Sequence, residues 1–477
     1  MGSGKVTDWQ GKHVTVAGLG VSGVPAAKVL HGLGAKVTVV NDGDDERARA
    51  QAAELEALGI TVRLGDGATL PQGTELIVTA PGWQPDKPLF AAAGQAGVPV
   101  WGDVELAWRL RGRDGKKAAP WLAVTGTNGK TTTVQMLASI LDAAGLRTAA
   151  VGNIGVSLLD AVLGEKEYDV LAVELSSYQL HWAPSLRAHS AAVLNLAPDH
   201  LDWHGSMEAY AADKGRIYEG NRVACVYNVA DKLTEDLVRE ADVEEGCRAI
   251  GFTLGTPGPS QLGVVDGILV DRAFVENRQK NAQELAEVSD VNPPAPHNIA
   301  NALAAAALAR AFGVPPQAVR DGLRAFTPDA HRIAKVAEVE GVTYIDDSKA
   351  TNTHAAEASL ASYEPIVWIA GGLAKGATFD ELVAKSAKRL RAAVLIGADR
   401  ALIREALARH APEVPVVELD RTDTGAMLQA VTEAKRLAVE GDTVLLAPAC
   451  ASMDMFTNYN QRGDAFAEAV RELGAGA

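Results

Sequence analysis

Cysteine is scarce: Cys225, Cys247 and Cys450 are the only three in 477 residues, and no two form a CxxC pair. An odd, scattered set of thiols gives neither a disulfide framework nor a zinc site, and it fits a reducing cytoplasm. Positive charge is also in deficit, with 45 Lys and Arg against 60 Asp and Glu for a net charge of -15. That balance repels nucleic acid and anionic lipid at long range, so neither is expected as a partner, and an anionic substrate must find local positive groups. Aromatic residues make up only 5% of the chain, and no apolar run is long. The Ala-rich stretch 302–309 is stopped by Arg310, well short of the roughly 18 apolar residues a membrane span needs. The N-terminus has no apolar signal core. The expectation is a cytoplasmic monomer with no membrane insertion.

What is present is the composition of a folded protein, 47% hydrophobic and 22% charged. At roughly 150 residues per domain, the length predicts about three domains. Residues 13–34 read as strand, glycine turn and helix, and an apolar strand at 36–40 ends at Asn41-Asp42, completing a βαβ unit. A strand at 75–79 runs into Ala80-Pro81-Gly82, and the polar stretch 111–120 reads as a linker. A second block opens with a strand at 121–125, a glycine loop and a helix over 130–144, followed by strands at 170–174 and 191–196. Asp266-Gly267 between two β-rich runs predicts a hairpin over 263–270. Beyond the Pro-rich segment 292–296 comes a helix over 298–312, and Thr327-Pro328 marks a further break. Strands at 343–346, 366–370, 393–396 and 443–447 then alternate with helices, the pattern of a parallel sheet. The expected domains are 1–116, 117–327 and 328–477.

Two glycine motifs carry chemistry. Gly126-Thr127-Asn128-Gly129-Lys130-Thr131-Thr132 lies between a strand and a helix. There, backbone N–H groups can converge on phosphate oxygens, Lys130 can reach the outer phosphates, and the Thr131 hydroxyl can meet Mg2+. Val124 stands where the longer phosphate-loop spacing has its first glycine, so this is a shortened form. Gly18-Leu19-Gly20-Val21-Ser22-Gly23 is a complete GxGxxG, with Asp42 closing the next strand 19 residues beyond Gly23. Such a turn takes a pyrophosphate and its carboxylate a sugar hydroxyl, which describes a UDP-sugar as well as a dinucleotide.

These loops are followed by ELSSYQL (174–180), NLAPDHLDWHG (195–205), YAADKGRIY (210–218), HNIANALAA (297–305), AHRIAKV (330–336), DDSKATN (346–352), GGLAKGATF (371–379) and APACASMDMFTNYNQRGDAF (447–466). In that order they resemble the Mur ligases over nearly the whole chain, and the DSKATN and PACAS blocks are most similar to the D-glutamate-adding branch of that family. The resemblance implies an α/β fold of a Rossmann-like N-terminal domain, a P-loop ATPase-like central domain and a Rossmann-like C-terminal domain. It implies that Thr131, Glu174, His200 and Lys214 hold Mg2+, at two sites, with Lys214 carbamylated. Hard oxygen donors suit Mg2+, and uptake of CO2 requires a lysine whose pKa is depressed.

By the same resemblance, Asn298 and Asn301, three apart on one helix face, meet the adenine of ATP. Asp347 meets its ribose, and Arg332, beside His331, and Lys349 approach ATP and the reacting carboxylate. Gly18, Leu19, Gly20, Val21, Asp42, Gly82, Asn153, Gln179 and His200 match the site for UDP-N-acetylmuramoyl-L-alanine. Thr351, Lys375, Ser452, Met453 and Tyr459 resemble the D-glutamate pocket. Lys130, His200, Lys214 and Lys349 are the implied catalytic residues.

A free carboxylate and an amine do not readily form an amide, because oxide is a very poor leaving group. The implied reaction passes the ATP γ-phosphoryl group to the acceptor carboxylate. D-Glutamate nitrogen then displaces phosphate from the acyl phosphate, in peptidoglycan precursor synthesis. Closure of the last domain, with hinges near 117 and 328, would complete the site. An NAD-dependent oxidoreductase would use the first glycine motif and leave the second idle. A nucleotide switch would use the second alone.

Overall fold

The structure, a computed structural model, describes residues 9–328, 330–421 and 423–475. It contains three sheets distributed over two compact units, one of Met1–Val291 with Ile299–Phe326 and one of Asn292–Asn298 with Thr327–Ala477.

The first sheet joins β1 (His13–Ala17), β2 (Lys36–Asn41), β3 (Thr61–Leu64), β4 (Leu76–Thr79) and β5 (Val100–Gly102) in the order β3-β2-β1-β4-β5. Every pairing is parallel. Val14, Val16, Val39, Val40 and Ile77 are fully buried because helices cover both faces, which is why these strands read as unbroken apolar runs.

The second sheet follows in the same unit with β6 (Trp121–Thr125), β7 (Ala150–Gly152), β8 (Leu171–Glu174), β9 (Ser190–Val193), β10 (Ala224–Asn228), β11 (Arg248–Phe252), β12 (Gln261–Val265), β13 (Ile268–Asp271) and β14 (Gln283–Glu287). Their order is β14-β13-β12-β11-β10-β9-β6-β8-β7. The 116/117 position falls between β5 and β6. The expected hairpin is the antiparallel pair β12–β13, turned by Asp266 and Gly267, both at positive φ.

Helix Lys130–Ala143 buries Val134, Leu137, Ile140 and Leu141 at helical spacing, and each such side chain contributes about 2 kcal/mol by leaving water. It meets helix Pro316–Ala325 so closely that a Cβ on Gly322 would overlap the Ile140 backbone, and Ser139 Oγ donates to Gly322 O at 2.7 Å. The Ala-rich run belongs to helix Pro296–Ala311, where Ala302 to Ala309 are completely buried. Small side chains there let neighbouring elements close on the helix. It begins earlier than residue 298 because Pro296 suits a first helical turn.

The third sheet, in the second unit, has the order β15-β16-β20-β17-β18-β19, built from β15 (Ala334–Val339), β16 (Val342–Asp346), β17 (Ile366–Gly371), β18 (Leu390–Ile396), β19 (Val416–Glu418) and β20 (Thr443–Leu446). It is parallel except for the β15–β16 edge pair. No described helix is long and apolar enough to cross a membrane.

Candidate active site

In both sheets of the first unit the strand order reverses beside the strand that leads into a glycine loop. β1 lies between β2 and β4, and β6 lies between β8 and β9. Crevices for ligands open at the carboxyl ends of strands at such reversals.

The loop after β6 is built around two glycines at positive φ, 151° at Gly126 and 83° at Gly129. A Cβ on Gly126 would lie 3.0 Å from Leu194 Cβ, and one on Gly129 would overlap Asn301 Oδ1. Asn195 clasps the loop from the side: its carbonyl accepts from Thr127 N at 3.0 Å, its Oδ1 from Asn128 N at 2.9 Å, and its Nδ2 donates to Asn128 O at 3.1 Å. Leu194 N still donates across the sheet to Thr125 O, but from Asn195 onward the bonds go to the loop, so β9 ends at Val193 rather than continuing to 196 as expected. Thr127 Oγ1 accepts from Ala197 N at 3.0 Å and lies 3.0 Å from the Tyr210 hydroxyl. Lys130 Nζ donates to Gly126 O at 2.8 Å and Thr127 O at 2.9 Å, so its ammonium arches over the loop at the head of the helix. Thr131 is half-buried and Thr132 buried in the first helical turn, where unpaired N–H groups favour phosphate.

Beside this loop, Lys214 is a lysine almost without solvent, 2% exposed. Its Nζ donates to Gly126 O at 2.9 Å and reaches Thr125 Oγ1 at 3.4 Å, over the Tyr210 ring. Burial, and then the Lys130 charge, hold its pKa well below the ordinary lysine value. Glu174 ends β8, is 2% exposed, and uses Oε1 to accept from Asn153 Nδ2 at 3.0 Å while Oε2 has no hydrogen-bond partner. A buried carboxylate oxygen without a donor is what a cation would satisfy. His200 stands at positive φ with its ring 5.0 Å from Tyr178, and burial, against the Asp199 carboxylate, lowers its pKa. Among the described residues no three His, Cys, Asp or Glu side chains gather as a metal cluster. The unpartnered oxygen of Glu174 fits a divalent ion, which hard oxygen donors suit.

Asp213, next to Lys214, is the hub of a clamp that motif reading missed. Its carboxylate binds His181 Nδ1 at 2.9 Å, His204 Nδ1 at 3.0 Å and Arg216 Nε at 3.1 Å. Burial pushes this carboxyl up, but the His181 and His204 hydrogen bonds prevail and hold it at about 2. His204 Nε2 meets Ser177 Oγ at 2.9 Å, which reproduces a Ser-His-Asp arrangement. Ser177 is 2% exposed and the His204 side chain is fully buried, so the hydroxyl faces no substrate. The arrangement instead pins helix Met207–Gly215, which carries Lys214, to helix Ser177–His181, which follows Glu174. Asp213 and Arg216 lie in the 210–218 block, His204 in the 195–205 block and Ser177 in the 174–180 block, but nothing in those blocks shows that they meet.

At the other switch point, Gly18 and Gly20 take φ of 99° and 118°, and a Cβ on Gly18 would sit 2.6 Å from Trp83 Nε1. A cleft of about 360 Å³ opens there, lined by Val21, Ser22, Asp103, Asn153, Ile154 and Gln179. Val21 is 86% exposed at its rim. Leu19 N donates to Asn41 Oδ1 at 3.1 Å, whereas Asp42 is held by Lys87 Nζ at 2.5 Å and is not among the residues lining the cleft. Gly82 O accepts from Trp203 Nε1 at 3.2 Å. Gln179 is buried, and its Oε1 caps its own helix by accepting from Ser176 N at 3.1 Å. Ser22 and Asp103, joined by a 3.0 Å hydrogen bond, were missed as lining residues; burial raises the Asp103 carboxyl.

In the second unit the residues cluster at the carboxyl ends of β16, β17 and β20. Asp347, buried there, accepts from Ser359 Oγ and from Ile333 N at 3.3 Å, and burial lifts its carboxyl to about 6. His331 bonds Asp346 through Nδ1 at 2.6 Å, which raises its pKa, and Arg332 follows it in the chain, half-buried. Lys349 Nζ lies 3.9 Å from the Tyr459 ring centroid, and Thr351 N donates to Lys349 O at 2.8 Å. A bridge between Leu373 and Ala451 brings the loop of Lys375, exposed and at positive φ, to the loop of buried Ser452 and 63%-exposed Met453. Arg462, which lies in the 447–466 block but was given no role there, is 1% exposed and ties these loops: it donates to Ser348 Oγ at 3.0 Å, Ser348 O at 2.8 Å and Cys450 O at 3.1 Å. Asn298 is buried and donates to Asn292 O at 3.2 Å and Pro293 O at 3.1 Å.

The chain is similar to known proteins over nearly its whole length. The Mur ligase middle domain matches residues 124–309, and the Mur ligase glutamate ligase domain matches residues 331–450. Residues 13–75, which contain the first glycine turn, match pyridine nucleotide-disulphide oxidoreductase. The chain is 90% identical over 469 residues to the UDP-N-acetylmuramoylalanine--D-glutamate ligase of Streptomyces coelicolor, covering 98% of this chain and 100% of the relative. It is 58% identical to the enzyme of that name from Thermobifida fusca, covering 97% and 99%. In Mycolicibacterium smegmatis the identity is 48%, covering 97% of each chain. Among solved structures, a MurF ligase from Thermotoga maritima in complex with ADP shares the fold with a TM-score of 0.58 at 16% identity, covering 92% of this chain and 96% of that one. A pseudomurein peptide ligase type C from Methanothermus fervidus gives 0.57 at 18%, covering 97% and 100%.

Proposed function

The chain belongs to the Mur ligase family, and from that premise we propose that it joins D-glutamate to UDP-N-acetylmuramoyl-L-alanine at the expense of ATP, a step of peptidoglycan precursor synthesis. The observation that carries the reading is Lys214, an amine buried against the Gly126 carbonyl of a phosphate loop. A structural lysine has no reason to lose its solvent there. A lysine that must stay neutral to take up CO2 has one.

ATP binds with its phosphates in the Gly126–Thr132 loop, and Lys130 exchanges its two carbonyl bonds for β- and γ-phosphate oxygens. Asn301, packed on Gly129, adjoins the nucleotide, and Asn298, Arg332 and Asp347 take its base and ribose. The UDP-linked acceptor lies along the Gly18–Val21 turn and the Asn153–Gln179 cleft, with His200 toward its carboxylate. That carboxylate oxygen attacks the γ-phosphorus and ADP leaves. The D-glutamate amine, held with its carboxylates by Thr351, Lys375, Ser452, Met453 and Tyr459, then attacks the acyl carbon. A proton leaves nitrogen and inorganic phosphate departs. Lys130 and Lys349 oppose the charge that develops in both steps.

Thr131, Glu174, His200 and Lys214 as its carbamate would hold Mg2+, whose chemistry here is to offset phosphate charge. In the carbamate, Nζ gains CO2 and gives up a proton, so the lysine becomes an anionic oxygen donor. ATP and a UDP-linked acceptor are intracellular reagents, and the reaction belongs in the cytoplasm.

The test is an ADP-release assay over a panel of D- and L-amino acids with Mg2+, ATP and UDP-N-acetylmuramoyl-L-alanine. ADP and a new amide should form together with D-glutamate alone. ADP release that ignores the amine, or amide formation with another amino acid in preference, overturns the assignment.

A further inference from the structure

Two of the three scattered cysteines meet in space. Cys225 lies on β10 at 2% exposure, and Cys247 is half-buried in the turn that leads into β11. Their Sγ atoms are 3.9 Å apart although the residues are 22 apart in sequence. The register explains the approach. β10 and β11 run parallel with Cys225 opposite Ala249, so Cys247, two positions earlier, is on the same face and reaches diagonally across. Between the two cysteines the chain leaves the sheet through helix Lys232–Glu240 and returns. Nothing in the ligase chemistry uses either thiol.

We propose that Cys225 and Cys247 form a dithiol site that a low-molecular-weight disulfide converts reversibly into an intramolecular cross-link. The attack begins at Cys247, the more exposed thiol, whose pKa is lowered by the hydrogen bond from Cys225, while Cys225 stays protonated under that bond and burial. The Cys247 thiolate displaces one thiolate from the disulfide RSSR and becomes Cys247–S–SR. Cys225 then gives up its proton, attacks Cys247 Sγ and expels the second RS⁻. Two protein thiols are oxidised, one RSSR is reduced to two RSH, and no further oxidant is needed. The product closes a loop around helix Lys232–Glu240, which restricts the unfolded chain and raises the midpoint of thermal unfolding by several degrees. Cys450 is set apart: it is completely buried, and burial pushes its thiol up to about 12, so it stays reduced.

The full-length protein is incubated with glutathione disulfide under native conditions and analysed by intact mass and non-reducing peptide mapping. A loss of two hydrogens, a peptide pair linking Cys225 to Cys247, a free Cys450 and reversal by dithiothreitol are expected. Unreacted protein overturns the proposal, as does protein that keeps a glutathione on Cys247 without closing. The variant Cys225→Ser should stop at the Cys247–glutathione adduct, and a Cys225→Ser chain that takes no glutathione overturns the order of attack. Because wild-type protein alone decides whether the bond forms, poor folding of a variant leaves the main result readable.

Discussion

Single residues in this chain are set by solvent exclusion more than by their neighbours in sequence. Lys214 reads as an ordinary helix lysine, yet its amine is enclosed by Thr125, Gly126 and Tyr210. Lys214→Ala should lower turnover by on the order of a hundredfold, and short carboxylates should partly restore it by supplying the missing oxygen donor. Lys214→Arg should not recover activity, since a guanidinium takes up no CO2. Steady-state assays with and without added formate or acetate decide this, and normal kinetics in the Ala variant would refute the role. Asp347 gives a pH prediction of definite sign. Its carboxyl rises from 3.8 to about 6 in the folded chain, so between those values the folded form keeps a proton that the unfolded form has released. Stability therefore falls as pH rises through that window, and above it the cost is about 3 kcal/mol. Asp347→Asn can still accept from Ser359, and it should raise the unfolding temperature at pH 7.5 but not at pH 3.5. A pH-independent shift in calorimetry would contradict this.

Elements place the site through backbone conformations that only certain residues allow. Gly129 holds φ of 83° with Asn301 Oδ1 where a Cβ would go. Gly129→Ala should combine a cost of about 1–2 kcal/mol for the left-handed backbone with a displaced Asn301. ATP affinity, read by titration calorimetry, should fall at least roughly tenfold, and unchanged affinity would show that the loop tolerates a side chain. In the second unit, helix Tyr459–Ala475 contributes Arg462, whose three bonds hold the Ser348 and Cys450 loops. Arg462→Met would leave buried carbonyls unsatisfied at a cost of about 3 kcal/mol. The DSKATN motif named Ser348 and Lys349, but their support came from a residue more than a hundred positions away, which no local pattern reveals.

The whole molecule is two compact units with separate cores. Calorimetry should resolve two transitions. Arg462→Met should lower only the transition of the second unit, and Gly129→Ala only that of the unit containing the phosphate loop; a single transition shifted by both would contradict this. The sequence by itself determined most of the strand and helix order and the two glycine loops, because periodicity and turn chemistry are local properties. Strand order, the switch points that open clefts beside β1 and β6, the burial of Lys214, the Asp213 clamp and the meeting of Cys225 with Cys247 were decided only by tertiary structure. Each depends on which distant segments share a sheet face or exclude water together, and hydrophobic patterning specifies that a face is buried without specifying what covers it.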